Sequence, residues 1–222
     1  ALAKISERTA AFSNAGASDS TQLNSGTLIF TASYVSGKWS GLLRAEKAVS
    51  GAEEWKTTDT GKFTAYSSRK VFTRSGTLTG GVGAGGVGGG ATFPTTAQQG
   101  ALARSGGPAN YEVNASDNAD YIKGRQTKEG SSPGQLRVRS TVMGDIVNSS
   151  PAYVADTNTV YIGANDGMLH AFNAETGAEQ FASVPGIINF GNLADLSRGD
   201  YEHRWFVDGP IAISPKAVSP DG

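Results

Sequence analysis

The sequence predicts an all-β fold assembled from repeated strand–turn–strand units, and three observations carry that expectation. β-Branched and aromatic residues cluster in short runs, as in Thr27–Tyr34 (TLIFTASY) and residues 159–164 (TVYIGA). Gly, Asp, Asn and Pro punctuate those runs at turn spacing. A fifteen-residue pattern near the start also recurs near the end without a gap.

Taken in order, residues 1–14 (ALAKISERTAAFSN) hold good helix formers with apolar positions at Leu2, Ile5 and Ala10, which predicts a short amphipathic helix. Residues 15–26 are small and polar and read as a connection. Thr27–Tyr34 predicts a strand. Trp39–Lys47, after a Ser36-Gly37 turn, predicts its hairpin partner. The run GGVGAGGVGGG has no side chains to pack and high chain entropy, so residues 75–110 read as an exposed, flexible insertion. A short helix is expected over Asn118–Lys123, started by Ser116 or Asp117 and stopped by Gly124. Strands are expected again at LRVRSTVM (136–143), PAYVA, TVYIGA and MLHAFNA.

The repeat pairs residues 41–55 (GLLRAEKAVSGAEEW) with 167–181 (GMLHAFNAETGAEQF), an offset of 167 − 41 = 126. Leu43 matches Leu169, Ala45 matches Ala171, Gly51 matches Gly177, Glu53 matches Glu179, and Trp55 faces Phe181. Each copy encodes a strand, a glycine turn and a second strand closed by an aromatic. One such unit cannot bury both its faces, so it must stack against siblings, which is the logic of a propeller blade. The offset exceeds one blade of about 40–50 residues, and the glycine-rich insertion and short helix take up the excess.

Composition narrows the function classes. A formal net charge of −1 provides no field to recruit nucleic acid or an anionic membrane. With no cysteine, disulfides, thiol catalysis and cysteine metal sites are excluded. No apolar run approaches the roughly 20 residues of a membrane span. Ala1-Leu2-Ala3-Lys4 does not read as a secretory signal, so an exported protein would carry its targeting segment upstream or have lost it.

The second repeat with its preceding strands, residues 143–186, resembles the PilY-type family of type IV pilus biogenesis factors and tip-associated adhesins, in the opening part of their C-terminal propeller. The residues carrying the resemblance are Gly144, Asp145, Ile146, Val147, Ser150, Pro151, Val160, Tyr161 and the run from Gly163 to Phe172. Tyr201-Glu202-His203, Val207-Asp208-Gly209 and Trp39-Ser40-Gly41 are similar as well, with one departure at Leu42. The resemblance implies a partial, quinoprotein-like β-propeller of about two to three blades. It divides the chain into a helical lead-in and linker (1–26), a first blade region (27–74), the insertion with its helix (75–124), and further blades of an incomplete ring (125–222).

It further implies a non-enzymatic role in pilus assembly and adhesion, outside the cytoplasm at a pilus tip, cell surface or outer membrane. Implied partners are minor pilins of a tip complex, a host receptor or surface, and the remaining blades. Calcium is implied for other parts of the full-length family protein and no cofactor for this segment. Structural positions implied by the family motif are Gly163, Asn165, Asp166, Gly167, His170, His203 and Asp208.

Each chemistry-bearing group has a plainer reading beside the functional one. Asp166 and His170 have the residue types of an acid–base pair, yet Asn165-Asp166-Gly167 reads first as a hairpin turn. His203 and Asp208 read as a buried polar link between blades. Arg198-Gly199-Asp200 is an integrin-type adhesion tripeptide on a polar, loop-like segment. Residues 160–179 also resemble the repeat of pyrroloquinoline-quinone dehydrogenases, which makes a quinoprotein oxidoreductase fragment the alternative function. The base, calcium ligands and aromatic floor of such an enzyme find no match here. Gly81–Gly86 satisfies a nucleotide-loop pattern but lacks the flanking strand and helix.

Overall fold

The computed structural model describes residues 10–17, 26–74, 90–105, 111–132 and 134–214. Their strands fall into two sheets. The first is a four-stranded antiparallel meander of β1 (Ala10–Ala17), β2 (Leu28–Val35), β3 (Ser40–Lys47) and β4 (Glu53–Lys56). The second contains the same meander: β7 (Ala152–Val154), β8 (Thr159–Gly163), β9 (Leu169–Asn173) and β10 (Glu179–Val184). At its β10 edge it is extended by β5 (Val71–Arg74), which pairs in parallel, and by β6 (Gly90–Thr92).

The 126-residue repeat is therefore structural, one copy per sheet. Ala45 pairs with Trp55 in the first copy and Ala171 with Phe181 in the second, and each hairpin has a register shift beside that pair. The turns match too: Gly51 N–H donates to Lys47 O and Gly177 N–H to Asn173 O, both at 2.8 Å. These glycines sit at φ +69° and +68°, a region closed to most side chains. Gly177 has a second constraint, because a Cβ there would lie 2.4 Å from the Trp55 ring.

Two cores lie on one face of the second sheet. Over β8 and β9, Phe30, Ala32, Leu43, Ala45 and Trp55 of the first sheet pack against Val160, Ile162 and Phe172. Over β5 and β10, Val71, Ala182 and Val184 are covered by α1 (Thr96–Ala101), α2 (Ala115–Ile122) and α3 (Phe190–Ala194), with Phe93, Leu102 and Leu193 fully buried. Trp55 Nε1–H bonds Ala174 O at 2.9 Å and so ties the two meanders together.

Several expectations are corrected. Residues 10–14 are not helical: from Ala10 the chain is strand β1, and residues 1–9 lie outside the described residues. Pairing with β2, from Ala10 opposite Val35 to Ala17 opposite Ile29, overrides the helix propensity of the alanines. Residues 15–17, read as connection, belong to the same strand, where a Cβ on Gly16 would lie 2.4 Å from Pro151 O.

Residues 75–89 and 106–110 lie outside the described residues, but residues 90–105 of the expected exposed insertion are folded. β6 joins the sheet, Thr95 and Gln98 form a capping box on α1, and Gln98 Nε2 donates to Thr73 Oγ1 at 2.9 Å. The short helix starts earlier than expected, at Ala115, with Asn114 as its N-cap. Residues 136–143 form no strand beyond a single bridge from Leu136 to Glu129, because side chains anchor the segment in place of a ladder. Arg139 pairs with Glu129 and lies 3.6 Å from the Tyr121 ring centroid, and Arg137 N–H donates to Ser197 O.

Candidate functional site

The turn between β8 and β9 gathers most of the residues singled out in the sequence. Asp166 at its tip accepts the N–H of Gly144 at 2.9 Å and of Met168 at 3.1 Å. Gly167 has φ +89°, and a Cβ there would strike Leu193. From β9, His170 points into the covered face with no exposed surface, and its Nε2 lies 3.0 Å from Asp166 Oδ2. Its Nδ1 lies 2.8 Å from Glu179 Oε1 on β10. Arg69, from the connection before β5, holds Glu179 through two hydrogen bonds of 2.6 and 2.7 Å and donates to Lys123 O.

The result is a buried chain of alternating charge: Arg69, Glu179, His170, Asp166. Burial by itself would lower the His170 pKa; the two flanking carboxylates outweigh it and raise it to about 9. Burial likewise favours the neutral acid at Glu179, and the Arg69 and His170 contacts overcome it, holding the carboxyl at about 2. Asp166 is lowered for the same reason, with His170 as its main stabilising partner. An imidazolium between two carboxylates, one of them paired with a guanidinium, makes the buried cluster neutral overall. Such a histidine is a proton-saturated strut and does not take a proton from a substrate at neutral pH.

A second polar cluster joins the late segment to the second meander. Asp208 Oδ1 accepts the backbone N–H groups of Val147, Asn148 and Ser149 at 2.8 to 3.0 Å. Asn165 Nδ2 reaches both Asp145 and Asp208, and its Oδ1 accepts Phe206 N–H. Ser149 Oγ accepts Gly163 N–H, and a Cβ on Gly163 would meet Val207 O at 2.1 Å. His203 Nε2 lies 2.8 Å from Asp145 Oδ2. The first meander touches this cluster through Trp39, whose ring centroid is 4.3 Å from that of His203. Trp39 holds φ +51°, an unfavourable conformation for a large side chain that this stacking supports. The cavity beside Asp145, bordered by Trp39, Tyr121 and Tyr201, encloses about 20 Å³, room for one water.

Arg198, Gly199 and Asp200 lie on the surface after a 3₁₀ turn (Asp195–Ser197). The two charged ends face each other: Arg198 Nε and one terminal nitrogen bond the Asp200 carboxylate at 2.8 and 2.9 Å. The guanidinium also covers the Tyr111 ring at 4.9 Å. Thus Asp166, His170 and Gly167 converge on one buried chain, Asn165, His203, Asp208 and Gly163 on a second, partly buried cluster rather than the fully buried link expected of His203 and Asp208, and the tripeptide stands apart.

Comparison with known proteins places the chain in a family. The chain is 31% identical over 229 residues to a type IV pilus biogenesis factor PilY1 homolog of Xylella fastidiosa, a match covering 89% of this chain and 17% of that protein. It is 34% identical over 133 residues to the type IV pilus biogenesis factor PilY1 of Pseudomonas aeruginosa (strain UCBPP-PA14), covering 46% of this chain and 11% of that protein. The chain belongs with the PilY1-type biogenesis factors. It spans under a fifth of the length of the relatives it matches. No protein-family model and no solved structure matches it.

Within this PilY1-type chain the partners missed in the sequence are Arg69, Trp39 and the burial of Glu179. Arg69 and Glu179 are 110 positions apart with no shared periodicity. Glu53, the repeat-equivalent of Glu179, is exposed and pairs with Lys56, so the repeat itself pointed away from a buried carboxylate. Among the described residues no helix is long and apolar enough to cross a membrane, and no cluster of His, Asp and Glu is arranged to hold a metal.

Proposed function

We propose that this segment is two consecutive blades of a β-propeller in a type IV pilus biogenesis protein, working as a binding scaffold without chemistry of its own. The observation that carries the reading is the pair of register-matched hairpins, one per sheet, in a chain related to PilY1. Their packing supports further blades. The face that the first meander buries, with Phe30, Leu43, Ala45 and Trp55, recurs on the far side of the second as Tyr161, Leu169, Ala171 and Phe181. There Phe181 lies 6.0 Å from Phe72, which is 41% exposed. At the other end, Gly51 has open space where its equivalent Gly177 meets an indole.

The biogenesis role follows the named relatives. Minor pilins at a tip complex and a host surface are the partners this reading assigns, with Arg198-Gly199-Asp200 as an attachment element that must open its internal ion pair to engage a receptor. The location is extracytoplasmic, and no cofactor is assigned to this segment, with any calcium placed elsewhere in the longer protein. The competing quinoprotein reading is disfavoured because the acid–base candidates Asp166 and His170, with Glu179, are committed to one another and to Arg69.

The test is to express the full-length protein with Trp55→Asp, which breaks the inter-sheet core, in cells lacking the native copy, and to count surface pili. Loss of pili with the protein still exported supports the scaffold. Normal piliation removes it, and a visible quinone absorbance with dye-linked alcohol oxidation after reconstitution would install the alternative.

A further inference from the structure

Residues 136–140 (Leu-Arg-Val-Arg-Ser) have the composition of a strand, yet no ladder forms along them. Their backbone is nonetheless fixed. Leu136 N–H donates to Lys128 O, Gly130 N–H to Leu136 O, and Arg137 N–H to Ser197 O, all at 2.9 to 3.0 Å. Arg139 N–H donates to Glu129 Oε2 at 2.8 Å, and its guanidinium is held by Glu129 and Arg125 O. Between these anchors Val138 is 62% exposed, and neither it nor Ser140 has a hydrogen bond to any described residue. Alongside runs an open groove of about 500 Å³, bordered by Tyr111, Ser131, Gln135, Arg137, Val138 and Asp200.

We infer that this segment is an open strand edge that captures an extended, acid-bearing stretch of another polypeptide. Unpaired backbone N–H and C=O groups held in place by neighbours on both sides match another extended backbone better than any other ligand. Val138 offers the incoming strand an apolar cross-strand contact. The charge requirement comes from Arg137. It stacks 4.7 Å from the Tyr201 centroid and donates Nε to Leu196 O, but no carboxylate pairs with it among the described residues. Arg139, two positions on, is already neutralised by Glu129. A carboxylate next to the residue facing Val138 therefore completes the edge. A second copy of this chain is a poor occupant, since antiparallel self-pairing about Val138 would set Arg137 opposite Arg139.

The experiment uses an acetylated nine-residue peptide of alternating Thr and Val with one Glu beside the central Val, titrated into the whole protein while amide exchange is followed by NMR. Val138 and Ser140 amides are expected to exchange at least about tenfold more slowly at saturation. Replacing the Glu with Lys is expected to weaken binding about 2–5-fold, the worth of one cross-strand charge pair, and N-methylating the central Val to abolish it. Val138→Pro, which removes an N–H without touching a core residue, should lose peptide binding and keep its unfolding midpoint. Unchanged exchange, or equal protection by the N-methylated peptide, overturns the inference. Protection that appears without peptide and grows with protein concentration overturns it too, giving the edge to a second copy.

Discussion

Gly51→Ala and Gly177→Ala form a matched pair that isolates the contact between the two meanders. Both glycines close the same turn with the same hydrogen bond and nearly the same φ. An alanine at either site bears the left-handed penalty of about 1–2 kcal/mol. Only at Gly177 does the new methyl meet a neighbour, 2.4 Å from Trp55 Cδ2, against open space at Gly51. The indole cannot step aside cheaply: its Nε1–H is bonded to Ala174 O, and its ring lies between Phe30 and Phe172 at centroid distances of 6.0 and 6.5 Å. Overpacking of this kind adds about 1–3 kcal/mol. The expected destabilisation is thus about 1–2 kcal/mol for Gly51→Ala and about 2–5 kcal/mol for Gly177→Ala. Urea unfolding followed by indole fluorescence measures both. Equal midpoints for the two variants would refute the packing of Trp55 against the second meander and, with it, the stacked-blade reading.

Three further outcomes are expected. Trp55→Ala should cost about 3–5 kcal/mol, whereas Trp55→Phe, which copies Phe181 at the equivalent position, should cost only about 1–3 kcal/mol for the unmade bond to Ala174 O; chemical denaturation separates them. The His170 pKa lies at about 9 when folded against an ordinary 6.5, so its contribution to stability is complete below pH 6.5 and lost as pH rises through about 9. Glu179, lowered from 4.5 to about 2, contributes above pH 4.5 and loses this as pH falls through about 2. His170→Gln should flatten the alkaline limb of a stability–pH profile, and a limb identical to wild type would contradict the charged imidazole. Asp200→Glu keeps the charge on an exposed loop and should leave stability within about 0.5 kcal/mol while reducing host-cell attachment by the full-length protein; unchanged attachment strikes the tripeptide from the proposed function.

Much of the architecture was legible in the sequence because it is written in local pattern. β-Branched and aromatic runs between turn residues placed β2 and β8, the alternating Leu and Ala of the repeat placed β3 and β9, and Gly51 and Gly177 at one offset marked the repeat itself. Where local pattern and tertiary context disagreed, context prevailed. Ala10–Ala17 became a strand because β2 offered it a ladder, and residues 136–143 failed to become one because loop carbonyls took the N–H groups of Leu136 and Arg137 and the Glu129 carboxylate took that of Arg139. The polar, small-residue composition of 90–105 reads as solvent-exposed, yet Phe93 and Leu102 fill the core over β5 and β10.

By itself, then, the amino-acid order determined the β class, the repeated unit and the kinship with pilus biogenesis factors, since each resides in short-range spacing or residue identity. Only the three-dimensional arrangement decided that Arg69, Glu179, His170 and Asp166 form one neutral buried chain, and that Arg198 and Asp200 close on each other. Electrostatic partnership depends on distance in space and on exclusion of water, and neither is encoded in the separation of residues along the chain.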